Sequence, residues 1–324
     1  MDTRVDEIAE RIYRLSTCIP DIAPGGFTFN QFLIDAEEPL LYHTGMRGLF
    51  GSVSAALARV LPLQHLRWIA FSHVEADECG AVNEFLAAAP HAQVVHGQLG
   101  VLLSVNDMCD RPPRGLADGE VLDIGGAQLQ RRMVEVATPH VPHNWESHLF
   151  YEQVTGTLFC GDLATQLGDG AAVTSADILA DAIAAEELFR QTSLGPAVGA
   201  TYRRLAEFHP TTLAIMHGSS YSGDCARLLR TLAEVYDGMA TGTAGPAPSR
   251  CQRTTRGSTR SMPRGSSSGW AAPAAAVNSR PPRAAAVNST RATSRWPETS
   301  AVSSSRIEAT ANSHRIEATA KPTP

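Results

Sequence analysis

The spacing of apolar residues divides the chain into three stretches of different character. The first is dominated by strand-like runs. Residues 8–19 read as one strand, and Gly25-Gly26 marks a turn after it. Residues 27–34 and 39–43 form an expected hairpin, joined by the acidic Asp35-Ala36-Glu37-Glu38. Residues 49–61 place their apolar side chains at helical intervals. Residues 66–71 are a short, bulky apolar run of the kind found in buried strands, and 81–89 return to a helical pattern. Beyond them the pattern predicts a strand at 92–96, a helix at 97–105, a loop at 111–115 and strands near 121–123 and 133–137.

In the second stretch strands and helices alternate. Residues 149–152 and 158–160 flank Thr155-Gly156 and suit a hairpin. Helices are expected at 175–191 and 196–208, a last strand at 213–216 and a closing helix at 224–237. Hairpins first, then strands alternating with helices, predict an α+β fold: two mixed sheets packed face to face with helices outside. The third stretch begins near Thr241. It has no Leu, Phe or Tyr, and Gly, Pro, Ser, Thr, Ala and Arg dominate it. Such a composition cannot bury enough apolar surface to fold alone. It also repeats: residues 274–279 recur as 284–289, and 306–311 recur as 315–320. The expected organisation is a folded domain over 1–240 and a disordered, low-complexity tail over 241–324.

Charge sharpens that division. The formal net charge is −6, yet the tail has only Glu298, Glu308 and Glu317 as acids among many arginines. An acidic body carries a basic tail. The arginines could attract nucleic acid or acidic lipid, and an inert tail is the equal alternative. Nucleic acid is not an expected partner of the domain. The start, Met1-Asp2-Thr3-Arg4-Val5-Asp6-Glu7, does not read as a signal peptide. No apolar run is long enough to cross a bilayer. The six cysteines are scattered without close pairs, which argues against a disulfide framework or a thiolate zinc site. A cytoplasmic protein with reduced thiols is expected, with Cys79 and Cys160 as small buried side chains.

Candidate chemistry centres on Phe71-Ser72-His73-Val74-Glu75-Ala76-Asp77-Glu78-Cys79-Gly80, between the strand at 66–71 and the helix at 81–89. Alternate residues of an extended segment point the same way, so His73, Glu75 and Asp77 converge at the strand's C-terminal end. The two carboxylates have no basic neighbour in the motif and repel each other. A bound cation resolves that conflict. Further candidate ligands recur at later strand ends: His143, Asp162 and His217. The six divide into two sets, His73, Glu75 and His143 for one ion, Asp77 and His217 for a second, with Asp162 bridging. Oxygen and imidazole donors without thiolate suit iron or manganese, and also zinc. Two ions sharing a carboxylate stand about 3.5–4 Å apart.

Other residues carry weaker signals. His140 and His148 flank His143 and read as solvated loop histidines or as partners behind a ligand. His43 reads as a structural histidine, with hydrogen bonding to a bound gas as the alternative. Trp145 and Tyr221 read as core residues, with walling of the pocket as the alternative. Gly161 and Gly218 read as tight-turn residues. There is no Walker or dinucleotide fingerprint, and neither Ser219 nor Ser220 lies in a nucleophile elbow.

His73-Val74-Glu75-Ala76-Asp77, His143 beside Trp145, Gly161-Asp162-Leu163 and His217-Gly218 together resemble the flavodiiron branch of the metallo-β-lactamase fold. Asn30-Gln31-Phe32-Leu33-Ile34 resembles that superfamily's first hairpin, and the resemblance covers about residues 6–237. Hydrolytic members carry His-x-His-x-Asp-His and bind zinc. This chain has Glu75 in place of the second His, and the harder donor favours iron. The resemblance implies a pair of iron ions that binds O2 or NO when reduced, with zinc or manganese as alternatives. Two departures stand out. A His usually follows the motif's Asp, and here that residue is Glu78, which either ligates the second ion or points away and leaves a water. Flavodiiron reductases also carry an FMN-binding flavodoxin-like domain, which the composition after Asp237 does not provide. The chain is therefore similar to stand-alone oxygen-binding di-iron proteins. No FMN is expected in it, and a flavodoxin, rubredoxin or flavin reductase is the expected electron donor. A homodimer is the expected assembly. The competing class is a zinc-type dinuclear metallohydrolase acting on an ester, lactone or phosphoester.

Overall fold

The computed structural model describes residues 2–125 and 143–242, and residues 130–135 as backbone. Its strands form two seven-stranded sheets. The first contains, in chain order, β1 (Thr3–Ala9), β2 (Ile12–Ile19), β3 (Phe27–Ile34), β4 (Leu40–Tyr42), β5 (Trp68–Ala70), β6 (Gln93–Gly97) and β7 (Arg114–Leu116). Its strands are antiparallel from β1 to β4 and parallel from β4 to β7. The second contains β8 (Val121–Asp123), β9 (Gln130–Glu135), β10 (His148–Glu152), β11 (Thr157–Phe159), β12 (Val173–Thr174), β13 (Thr212–Ala214) and β14 (Ser220–Tyr221). Their spatial order is β12-β14-β13-β11-β10-β9-β8. Helices α1 (Phe50–Leu57), α2 (Ala76–Cys79), α3 (Val82–Ala88), α4 (Gln98–Gly100) and α5 (Asn106–Met108) accompany the first sheet in sequence. Helices α6 (Leu179–Phe189), α7 (Val198–Ala206) and α8 (Cys225–Thr241) accompany the second.

Alternate residues of each central strand enter different apolar layers, as a period of two requires. Phe32, Ile34, Leu40, Tyr42, Trp68 and Ala70 pack with Leu122, Phe150, Phe159 and Ala214 between the sheets. Their chain neighbours Leu33, Leu41, Ile69 and Phe71 pack instead with Val53 and Leu57 of α1 and Phe85 and Leu86 of α3. On the far side, Leu149, Leu158, Leu213 and Ile215 pack with Tyr202 and Leu205 of α7 and Leu229 and Leu232 of α8. The result is four layers, helix–sheet–sheet–helix. Both faces of the central strands are covered, so β3 is buried at every position, its polar Thr28, Asn30 and Gln31 included. Asp224 caps α8 by accepting the Arg227 N–H at 3.0 Å, and Gly242 ends it in the left-handed region at φ 68°.

The two expected hairpins are present as β3–β4 and β10–β11. The single strand expected over 8–19 is instead the hairpin β1–β2, with Ala9 opposite Ile12. Its tight turn places Arg11 at φ 57°, without the Gly or Asn that usually marks such a position. The expected loop at 111–115 contributes β7, whose pairing comes from β6. The helix expected over 175–191 begins only at Leu179: Val173–Thr174 forms β12 beside β14, and Thr174 Oγ1 and Asp177 Oδ1 accept the Ala176 and Leu179 N–H groups in the turn between. The segment 138–142, with His140, and the tail from 243 onward lie outside the described residues.

One edge of the sandwich gathers the candidate ligands. β5 runs towards this edge, and so do the parallel strands β11 and β13. β10 is antiparallel to β11, so the loop before β10 shares the edge with the turn after β11. The two sheets are joined there by backbone hydrogen bonds from His148 N to Ser72 O (2.9 Å) and from Asn30 N to Met216 O (3.0 Å).

Candidate metal centre

After β5 the chain passes through Phe71 and Ser72 to His73, all buried. Glu75 is extended (φ −136°, ψ 153°) and precedes α2, whereas Asp77 falls in the first turn of that helix. The expected extended alternation therefore reaches only Glu75. The amides of Glu78 and Cys79 bond back to Glu75 O at 3.2 and 2.9 Å, and acids in a first helical turn are favoured. The helical turn carries Asp77 to a different partner. His143 lies in the loop before β10. Asp162 follows Gly161 (φ 52°) after β11, and His217 precedes Gly218 (φ 98°) after β13, so both glycines take the tight-turn role expected of them.

These side chains form two adjoining groups that share Asp162. Glu75 Oε2 is 3.0 Å from His73 Nε2 and 2.7 Å from His143 Nε2. Asp162 Oδ2 is 3.7 Å from each of the same two nitrogens. Donor atoms of His73, Glu75, His143 and Asp162 all lie within 4.8 Å of one another. The other carboxylate oxygen, Asp162 Oδ1, faces His217 Nε2 at 3.2 Å without forming a hydrogen bond with it, and His217 Nε2 is 3.3 Å from Asp77 Oδ2. The His217 ring is stacked on Phe27 (centroids 4.2 Å apart, planes 23°) and meets Phe29 edge-on at 5.3 Å. The cluster is closed on the side of His73 and His217 and open towards Glu75, whose side chain is 49% exposed.

The hydrogen bonds behind the histidines decide which nitrogen faces the cluster. His217 Nδ1 lies 2.7 Å from Thr28 O, and His143 Nδ1 lies 3.1 Å from Gln191 O. A carbonyl only accepts, so each Nδ1 carries the proton. His73 Nδ1 lies 2.9 Å from Ser72 Oγ. All three imidazoles thus turn Nε2 towards carboxylate oxygens. Lone pair would meet lone pair unless a proton or a cation stands between. This donor set, oxygen and imidazole without thiolate, fits iron, manganese or zinc.

In the metal-free protein, protons fill that role. Burial works against charge on His73, but Glu78, Glu75 and Asp162 outweigh it and hold its pKa up to about 10. His217 is held up to about 10 against burial by Asp162 and Asp77. Hydrogen bonds from His143 and His73 draw Glu75 down to about 2. Folded-state values above the ordinary 6.5 mean that these two histidines stabilise the metal-free fold fully below about pH 6.5. That contribution is lost as pH rises through about 10. A cation must displace the same protons. Loading the metal-free protein with Fe2+ or Co2+ at pH 7 should therefore release protons, and apparent affinity should rise with pH. A pH-stat titration showing no release would contradict this arrangement.

All six expected ligands meet here. Glu78, left open between ligand and non-ligand, lies outside both donor groups: it accepts from Ser72 Oγ and from the His73 backbone N–H. Two further expectations are corrected. His148 is not a solvated loop residue: it opens β10, fully buried, 4.1 Å centroid to centroid from the equally buried His96. Trp145 is not core: it is 45% exposed, because the loop before β10 carries it outward. Tyr221, Cys79 and Cys160 are buried as expected. His43 is buried with Nε2 3.3 Å from Glu78 Oε1, and burial lowers its pKa to about 3. The sequence reading missed Ser72, which left no motif of its own, and the carbonyls of Thr28 and Gln191, which carry no side-chain signal.

A helix–sheet–sheet–helix sandwich with a His/Asp/Glu cluster at one sheet edge defines the metallo-β-lactamase fold. Within it, the profile described as "ODP family beta lactamase" matches residues 27–218, and the chain belongs to that family. A protein provisionally named diflavin flavoprotein A 1, from Nostoc sp., is 29% identical over 141 residues, which is 43% of this chain and 23% of that protein. The rubredoxin-oxygen oxidoreductase of Megalodesulfovibrio gigas is 25% identical over 106 residues, 32% of this chain and 26% of the relative. The matches thus span about a quarter of the length of these relatives. Among solved structures, the metal-soaked flavodiiron core from Synechocystis sp. superposes with a TM-score of 0.62 at 19% identity, over 72% of this chain and 60% of that one. The fold is that of flavodiiron cores, as the sequence resemblance implied.

Proposed function

We propose that the chain is a non-haem di-iron protein that binds O2 or NO and reduces or senses it. In this reading His73, Glu75 and His143 hold one ion, Asp77 and His217 hold the other, and Asp162 bridges them. The observation that carries it is the divided carboxylate of Asp162, with Oδ2 turned to His73 and His143 and Oδ1 turned to His217. Glu75 supplies an oxygen where zinc hydrolases of this fold have a second imidazole, which favours iron. When bound, the iron pair supplies the electrons and the coordination position that a diatomic gas needs.

The chain's own residues prepare the site. Thr28 O, Gln191 O and Ser72 Oγ fix the three imidazoles. Phe27 and Phe29 line the His217 side with apolar surface, which disfavours water there and suits a small, uncharged gas. Electron supply is assigned to a flavin- or rubredoxin-type donor, in keeping with the names of the diflavin flavoprotein and rubredoxin-oxygen oxidoreductase relatives. Among the described residues no helix is long and apolar enough to cross a membrane.

Exposure of the anaerobic, iron-loaded protein to O2 or NO tests the reading. An absorption change in the near ultraviolet is expected. No change with either gas, together with turnover of a generic ester or phosphodiester by the zinc form, would establish the hydrolase class instead.

The domain division is part of the same proposal. Residues 1–240 carry all six ligands and the three apolar layers, whereas 241–324 offer no Leu, Phe or Tyr. Removing the tail after residue 242, where α8 ends, should leave the melting temperature and the metal content unchanged. A truncated protein that is insoluble or metal-poor would refute that division.

A further inference from the structure

Glu78 is fully buried, and its position is one where the flavodiiron resemblance leads one to expect an imidazole ligand. Its Oε2 accepts the His73 backbone N–H at 2.8 Å. Ser72 Oγ lies 2.6 and 2.8 Å from its two carboxylate oxygens and 2.9 Å from His73 Nδ1. A hydroxyl has a single proton to give. It goes to the carboxylate, which leaves the Ser72 oxygen to accept from His73 Nδ1–H. His73, Ser72 and Glu78 thus form a relay that fixes the imidazole with Nε2 towards Glu75 and Asp162. Gly161 makes room for the relay: a Cβ there would stand 2.4 Å from Ser72 Oγ and 3.4 Å from Glu78 Oε1. The residue immediately before the bridging Asp162 is therefore shaped around the same contact.

The second donor group shows the complementary feature. His217 Nε2 is paired with Asp77 and Asp162, and Glu78 is directed instead to the far side of His73. The first group offers His73, Glu75, His143 and Asp162; the second offers Asp77, Asp162 and His217.

We propose that Glu78 is a positioning residue and not a ligand: through Ser72 it orients His73 in the first position, and it leaves the second position with one protein donor fewer. The two positions then hold metal with unequal strength, and the weaker one keeps the open places that an exogenous ligand takes. The inference rests on the two-ion reading above.

Stepwise Co2+ titration of the metal-free full chain, read by visible absorption and chelator competition, separates the two claims. Two binding events are expected, the first tighter by about tenfold or more. Glu78→Gln should weaken the first event by about 10–100-fold, the usual effect of removing a partner behind a ligand, and alter the spectrum of the first ion. The second event should hardly move. Glu78→His, which returns an imidazole after Asp77, should tighten the second event. Ser72→Ala breaks the relay at its middle and should reproduce the weakened first event, so the test survives if the buried Glu78→Gln protein fails to fold. Two equal events in the unaltered protein, or Glu78→Gln weakening only the second, would overturn the positioning role while leaving two ions in place. A single event in the unaltered protein would overturn the two-ion reading itself, and this inference with it.

Discussion

Replacing Asp162 by Ala should reduce the iron retained after anaerobic reconstitution from about two ions per chain to one or fewer. Its two oxygens face both donor groups, so its loss should reach both positions at once. The metal-free protein should suffer as well. Asp162 is the counter-charge shared by His73, His143 and His217 in a nearly closed site. Removing one partner of a buried ionic cluster ordinarily costs about 3–5 kcal/mol. Asp162→Asn keeps the shape and loses the charge, so it should lose metal while folding better than the Ala protein. Chemical denaturation of the metal-free forms, with metal analysis of the loaded ones, measures both effects. Full retention of two ions by Asp162→Ala would show that the carboxylate does not bridge.

Glu75→His should exchange the metal preference. Glu75 Oε2 stands between His73 Nε2 and His143 Nε2, so its replacement gives the first position a third imidazole, a set well suited to zinc. It also recreates the His-x-His-x-Asp pattern of the hydrolytic members. The variant should lose reactivity towards O2 and accept zinc more readily than the unaltered protein. Glu75→Gln keeps the shape without the charge and should weaken the first position alone. His217→Ala should do the reverse, emptying the second position and leaving the first. Metal content and O2-dependent absorption, measured side by side on the three proteins, check these outcomes. A Glu75→His protein with unchanged metal preference and unchanged reactivity would remove the reason for favouring iron.

The fold class was legible in the sequence, and so were the six residues that the fold brings together, for reasons that particular residues make plain. The runs at 27–34 and 66–71 are rich in bulky apolar residues because β3 and β5 are covered on both faces, and such runs stand out from a loop. The candidate ligands at strand ends are visible because His73, Asp162 and His217 each follow such a run. What was hidden falls into three kinds. Short strands such as β7 and β14 owe their existence to a neighbour's hydrogen bonds, and their own few residues hold no period. The β1–β2 turn is hidden because Arg11 occupies a left-handed position without a turn-forming residue. The orientation of Glu78 is decided by Ser72 and the His73 amide, and a backbone donor leaves no trace in the order of side chains. The buried pair His96 and His148 shows the same limit from another side, since neither lies at a spacing that links it to the other.

The central claim is that His73, Glu75, Asp77, His143, Asp162 and His217 hold two iron ions. Its most direct test is anaerobic reconstitution of the metal-free protein with equal iron and zinc, followed by removal of loosely held metal and elemental analysis. About two irons per chain, with little zinc, is the result this account predicts. Zinc alone, or a single ion shared among the six residues, would contradict it.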